Sequence, residues 1–282
     1  MQVERAREQG LCFGVRRALS MLRDAASRTD RIETLGPIAH NRILMRELEE
    51  IGVVTASSLS ELSGPTVVIS AHGASPDAVG ALRDRGFLLV YTTCPIVAKA
   101  QGIAAQLAHE GFTIVIFGDS AHTEVKGLLG WAGSSAVAST DGASLLKRHQ
   151  LGDTEKIAII AQTTQPADAF AGFAASLCDT LASNMKELRV VNTLCDATRR
   201  RLESAQELAG RVGLMLVVGG RNSANTQRLA EACSNIVETH HIECADELQK
   251  RWFNDKSHVG VTAGASTPDS SIEEVERRVR AL

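Results

Sequence analysis

From end to end the chain alternates short apolar runs with longer amphipathic stretches. The runs are RIETL (31–35), TVVIS (66–70), FLLVY (87–91), FTIVIF (112–117), KIAIIA (156–161), LRVV (188–191), GLMLVV (213–218) and HVGVT (258–262). Most are continuously apolar, without the polar alternation of a half-exposed strand. That pattern predicts strands buried on both faces, hence mostly parallel sheets between helix layers. Helical periodicity follows in VRRALSMLRDAAS, ILMRELEEI, VAKAQGIAAQLAHE, ADAFAGFAASLCDTLASNM, ATRRRLESAQELAGRV and SIEEVERRVRAL. The expected fold class is α/β.

A three-part organisation runs through this pattern. GLC, TTC and TLC each place a cysteine (Cys12, Cys94, Cys195) in a loop that leads into a helix. Three small α/β lobes meeting at a centre explain the spacing. The expected boundaries are 13–93, 94–192 and 193–282, the last joined by 1–12.

Polar residues concentrate just after the strands. TVVIS leads to His72, FTIVIF to His122 and Glu124, and KIAIIA to Gln162, Thr163 and Thr164. GLMLVV leads to Asn222, Ser223 and Asn225, HVGVT to Ser266, and RIETL, slightly later, to His40. Ligands of open α/β sheets bind outside the carboxyl ends of the strands, so these loops are expected to face one cleft. Taken singly, Ser223 and Ser266 read as helix caps and Glu124 as a solvated loop carboxylate. Taken together, hydroxyls, amides, imidazoles and helix N-termini suit a small phosphorylated or diphosphate ligand. Neither G-x-x-x-x-G-K-[ST] nor G-x-G-x-x-G after a strand occurs, which excludes a P-loop and argues against a standard dinucleotide site, GGRNSAN being only a weak approach to one.

Composition narrows the field. The 282 residues are 44% hydrophobic, enough for real cores, and carry a formal net charge of −3. No basic footprint argues for nucleic acid, and one tyrosine with two tryptophans gives no stacking platform for single strands. No apolar run reaches membrane-span length, and MQVERAREQG is too charged for a signal peptide, so the expected location is the cytoplasm. Six cysteines are too few for a disulfide scaffold. Cys178 falls in an apolar stripe with Phe170, Phe173, Leu177 and Leu181 and reads as core. Cys233 follows a helix's apolar face, and Cys244 sits near a polar turn. Cys12, Cys94 and Cys195 read either as unrelated thiols or as three ligands brought together. Three thiolates on a [4Fe–4S] cluster leave one iron open to substrate. The residues alone do not separate that cluster from a three-Cys zinc site.

The ordered set GLCFGVRRAL, AHN, SAHG, TCPIVAKA, AHTEVKG, QTTQ, NTLCDATRRR, GGRNSANTQRL and VGVTAGASTPD resembles the 4-hydroxy-3-methylbut-2-enyl diphosphate reductase family from end to end. The resemblance implies three α/β lobes in a trefoil-like arrangement around a central [4Fe–4S] cluster. It implies reductive removal of an allylic hydroxyl, giving isopentenyl and dimethylallyl diphosphate. Cys12, Cys94 and Cys195 match the cluster ligands. His40, His72, His122, Ser223, Asn225 and Ser266 match the diphosphate-binding residues. Glu124 matches the proton source, and Thr163 the residue that orients the substrate hydroxyl. Ferredoxin or flavodoxin is the implied electron donor. The chain departs from the family pattern at Ala224, where a second serine is usual, at Thr92 and at Gln101. Two other readings stay open: a paralogue reducing another allylic or phosphorylated substrate, and a non-catalytic three-Cys iron–sulfur or zinc sensor.

Overall fold

The computed structural model describes residues 1–29, 31–39, 41–148, 151, 154–181 and 185–282. Its strands are β1 (Gln2–Arg5), β2 (Ile32–Leu35), β3 (Val53–Ala56), β4 (Thr66–Ile69), β5 (Leu88–Tyr91) and β6 (Thr113–Phe117). They continue with β7 (Val137–Ser139), β8 (Lys156–Ala161), β9 (Glu187–Val190), β10 (Leu214–Val218), β11 (Thr239–Ile242) and β12 (His258–Ala263). The helices are α1 (Phe13–Ala26), α2 (Arg42–Glu50), α3 (Pro76–Asp84), α4 (Pro95–His109) and α5 (Thr123–Ala132). After them come α6 (Gly142–Arg148), α7 (Ala167–Leu181), α8 (Asp196–Ala209), α9 (Ala224–Ser234) and α10 (Asp269–Arg280).

The strands form three four-stranded sheets, ordered β3-β2-β4-β5, β7-β6-β8-β9 and β11-β10-β12-β1. The order is the same in each: second, first, third, fourth. In the last sheet the fourth strand comes from the N-terminus, where β1 pairs in parallel with β12. The pairs β4/β5, β6/β8, β8/β9 and β10/β12 are parallel too. The fold class is therefore α/β with three parallel-sheet lobes. Packing groups the chain into two compact units, Met1–Ser20 with Pro37–Val54 and Asp196–Leu282, and Met21–Gly36 with Thr55–Cys195. Among the described residues no helix is long and apolar enough to cross a membrane.

The central strands are the apolar ones. Every residue of β4 and β10 is buried, as is all of β8 and β12 but the first residue of each. Helices cover them with helical-period stripes: Ile272, Val275 and Val279 of α10 lie against β10 and β12, and Phe170, Phe173, Leu177 and Leu181 of α7 against β6 and β8. Cys178 corrects the expectation of a core thiol. It is exposed at the edge of the α7 stripe, turned away from the sheet that its neighbours cover.

Glu33 of β2 shows how one carboxylate secures a loop. It is 1% exposed and accepts from the backbone N–H groups of Ser63 and Gly64, both at 2.8 Å, and from Arg31. Burial alone raises its pKa, but the Gly64 and Ser63 N–H groups and Arg31 outweigh burial and hold it below the ordinary carboxylate value. Its stabilisation is complete above the unfolded-state value and is lost as pH falls through the lowered folded one. Glu33→Gln is expected to cost about 1–3 kcal/mol at neutral pH, since the amide oxygen can keep both backbone donors on one side but the NH2 group that replaces Oε1 then meets the Arg31 guanidinium and the Ser63 hydroxyl without accepting from them. Urea denaturation of both proteins should show the difference shrinking in acid.

Candidate active site

In each lobe the fourth strand runs into a cysteine, and a helix starts at the next residue. β5 leads to Cys94 and α4, β9 to Cys195 and α8, and β1 to Cys12 and α1. The three cysteines share one backbone bond pattern. Cys94 N–H donates to Ala71 O at 3.0 Å, Cys195 N–H to Thr163 O at 2.7 Å, and Cys12 N–H to Ala265 O at 3.0 Å. Each acceptor lies in the loop after the neighbouring third strand. Those loops carry His72, Thr163 and Ser266, so each cysteine is pinned beside a polar residue singled out in the sequence. None of the three is in a disulfide, and all are half-buried. Cys233 is different: it is fully buried, and burial pushes its thiol up to about 11, so it stays protonated.

Glu124 corrects the loop reading. It lies in the first turn of α5, 1% exposed. Thr163 N–H donates to its Oε1 at 2.6 Å, and the Thr163 hydroxyl lies 3.1 Å from Oε2. Burial pushes its pKa up to about 7, with the two Thr163 bonds opposing. A chain of contacts thus runs from Glu124 through Thr163 to Cys195. Close approach of the strand ends makes it possible: a Cβ at Gly118 would stand 2.8 Å from Gln162 Cβ and 2.9 Å from Val125 Cγ2.

His122 caps α5, its Nδ1 accepting from Glu124 N–H at 3.2 Å. An accepting Nδ1 fixes the neutral tautomer with the proton on Nε2, which makes that nitrogen a donor. His72 lies edge-on to it, ring centroids 5.5 Å apart. His40 lies outside the described residues.

In the other unit, Ser223 and Asn225 sit at the start of α9, and Ser266 follows β12. The Ser223 hydroxyl caps α9 by accepting from Thr226 N–H at 3.4 Å, which leaves its own proton free to donate. Pro268, not Ser266, stands at the cap position of α10. Arg201 was not singled out in the sequence, where it sits in a run of charged helix residues. It is buried and donates to Gly10 O at 2.8 Å, bracing the loop that leads to Cys12. Among the described residues no three His, Cys, Asp or Glu side chains stand close enough to share one metal ion. A cavity of about 510 Å³ beside β11, lined by Arg221, His240, His241, Glu247 and Trp252, contains none of the residues above.

Residues 3–280 match the LytB protein family. The chain belongs to that family. A LytB relative from Dehalococcoides mccartyi, named 4-hydroxy-3-methylbut-2-enyl diphosphate reductase, is 42% identical over 98% of this chain and 96% of its own length. One of the same name from Pelobacter propionicus is 41% identical over 99% and 98%. A solved structure of (E)-4-hydroxy-3-methyl-but-2-enyl diphosphate reductase, described as the terminal enzyme of the non-mevalonate pathway, superposes with a TM-score of 0.78. It is 36% identical, with full coverage of both chains. The Plasmodium falciparum E-1-hydroxy-2-methyl-but-2-enyl-4-diphosphate reductase shares the fold at TM-score 0.87 and 22% identity, covering 100% of this chain and 87% of its own.

The three departures have structural settings in this LytB chain. Thr92 is fully buried and its hydroxyl donates to Ile69 O at 2.6 Å, tying the exit of β5 to β4. Gln101 is buried with its amide against Gly73, where a Cβ would come within 2.3 Å of Nε2. Ala224 is exposed in the first turn of α9.

Proposed function

We propose that this chain reduces (E)-4-hydroxy-3-methylbut-2-enyl diphosphate to isopentenyl and dimethylallyl diphosphate at a [4Fe–4S] cluster held by Cys12, Cys94 and Cys195. The observation that carries this reading is the bond repeated in three lobes, from each cysteine N–H to a loop bearing His72, Thr163 or Ser266. Three cysteines outside any disulfide, each just before a helix, fit a cluster with one iron left without a protein ligand. The names of the LytB relatives support the same reaction. When bound, the cluster supplies two electrons, delivered singly by a ferredoxin or flavodoxin, and an open position for the substrate hydroxyl.

The balance is simple: the allylic C–O bond breaks, a C–H bond forms, and two electrons with two protons leave water and the reduced diphosphate. The protein's task is to hold the anion and deliver protons. His72 and the Nε2–H of His122, with Ser223, Asn225, Ser266 and His40, are the proposed diphosphate donors. The N-termini of α5 and α9 add the positive ends of their helix dipoles. None of these groups is a fixed cation, so the diphosphate is held by donors that product can leave.

Glu124 is the proposed acid. Its Oε1 is engaged by Thr163 N–H, so the carboxylic proton belongs on Oε2, facing the Thr163 hydroxyl. That hydroxyl accepts the proton and passes its own towards the leaving oxygen. A pKa of about 7 suits a group that must both give and regain a proton near neutral pH. A sensor that only binds a cluster has no use for such an acid.

The test is direct. Anaerobically purified protein, given chemical reductant and the allylic diphosphate, is expected to form both five-carbon products with iron and sulfide bound. Colourless protein with stoichiometric zinc and no turnover sinks the reading.

A further inference from the structure

Two of the loops assigned above to the diphosphate close on a single side chain. Thr226, in the first turn of α9, is 0% exposed. A Cβ at Gly264 would stand 2.1 Å from Thr226 Oγ1 and 3.2 Å from its Cβ. At Gly219 a Cβ would stand 3.0 Å from both Oγ1 and Cγ2 of Thr226. The threonine is thus wedged between the end of β10 and the end of β12. Thr267 completes the packing, its hydroxyl donating to Val218 O at 3.0 Å.

Two features make this more than tight packing. Thr226 Oγ1 is buried without a hydrogen-bond partner among the described residues, an unfavourable state for a hydroxyl. An alanine there has no orphaned oxygen, and a valine is wider where the oxygen now fits. Gly264, unlike Gly219, has no left-handed backbone angle, so its own conformation admits a side chain. The three atoms that would crowd a side chain there all belong to Thr226, its hydroxyl by far the closest.

We infer that Thr226 is a spacer that fixes the separation of the Gly219–Ser223 and Gly264–Ser266 loops, and that Gly264 is glycine so that the second loop can seat against it. Thr226 is a positioning residue: it acts through Ser223, Asn225 and Ser266 on whatever anion they hold. This rests on the assignment of those residues to the diphosphate. A shift of one loop by a fraction of an ångström lengthens donor-to-anion bonds on one side, and such bonds are sensitive to distance.

The experiment is a double-mutant cycle on the full anaerobically purified protein: Gly264→Ala, Thr226→Ala and the pair. Inorganic diphosphate binding is read by calorimetry, folding by thermal denaturation, and turnover as separate kcat and KM. Gly264→Ala is expected to weaken diphosphate about tenfold or more, the loss of one charge-assisted bond, and to raise KM far more than it lowers kcat. Thr226→Ala in the same chain is expected to restore binding to within about threefold of Thr226→Ala alone, because the two sites are in contact and not additive. Gly264→Ala binding like wild type, or a folded pair without recovery, overturns the inference. If wild type does not bind diphosphate, the assignment of these loops fails instead. The thermal cycle still judges the wedge: a Tm loss in Gly264→Ala that Thr226→Ala does not recover overturns it.

Discussion

Serine in place of Cys12, Cys94 or Cys195 is expected to remove bound iron and reduce turnover to background, while Cys178→Ser keeps both. The oxygen of serine is a poor ligand for iron–sulfur iron, and each thiol is the sole cysteine its lobe offers at the proposed centre. Cys178 is exposed on α7 and tied to none of the three loops. Backbone geometry sharpens the expectation. Each loop is anchored by its own cysteine N–H, which serine retains, so the variants should fold and fail only in loading. Iron and sulfide analysis beside circular dichroism separates the two outcomes. Full cluster content in all three loop variants would falsify the ligand assignment.

The second large effect concerns the proton. Glu124→Gln is expected to slow turnover by about 10²–10⁴-fold, the usual contribution of a positioned general acid. Diphosphate affinity should change little, because the amide oxygen still accepts from Thr163 N–H and α5 keeps its His122 cap. The pH dependence gives a second reading. Burial raises Glu124 to about 7, so the acid form prevails below that value and is lost as pH rises through it. Wild-type turnover with saturating reductant should therefore fall on the alkaline side of about 7, and the residual rate of the variant should lack that limb. Near wild-type turnover in Glu124→Gln would move the proton source elsewhere, to the substrate's own diphosphate among others.

Legibility in the sequence followed burial. The apolar runs found β2, β4, β6, β8, β10 and β12, which are all the central strands, and also β5 and β9. The strands they did not reveal are β1, β3, β7 and β11, and every one lies at a sheet edge. Edge strands such as QVER and THHI face solvent on one side and need no continuous apolar run, so composition does not mark them. Helix α5 was also hidden. AHTEVKGLLGWA carries two glycines and opens on polar residues, so it read as a loop, and its Glu124 read as solvated.

The sequence by itself determined the α/β class, the positions of the three loop cysteines and the polar residues after the strands, and the ordered motifs that mark the family. Those properties are local, carried by runs of a few residues whose side-chain chemistry is its own signal. Only the tertiary structure decided that β1 completes the sheet of the C-terminal strands, and that each cysteine N–H is bonded to a particular neighbouring loop. It alone decided that Glu124 is buried on Thr163 with its pKa near neutrality, and that Gly264 is glycine because Thr226 occupies its side-chain space. These are relations between residues 23 to 256 positions apart, from Cys94 with Ala71 to Gln2 of β1 with His258 of β12. Strand pairing creates them, and neither partner carries a mark of the other until the sheets form.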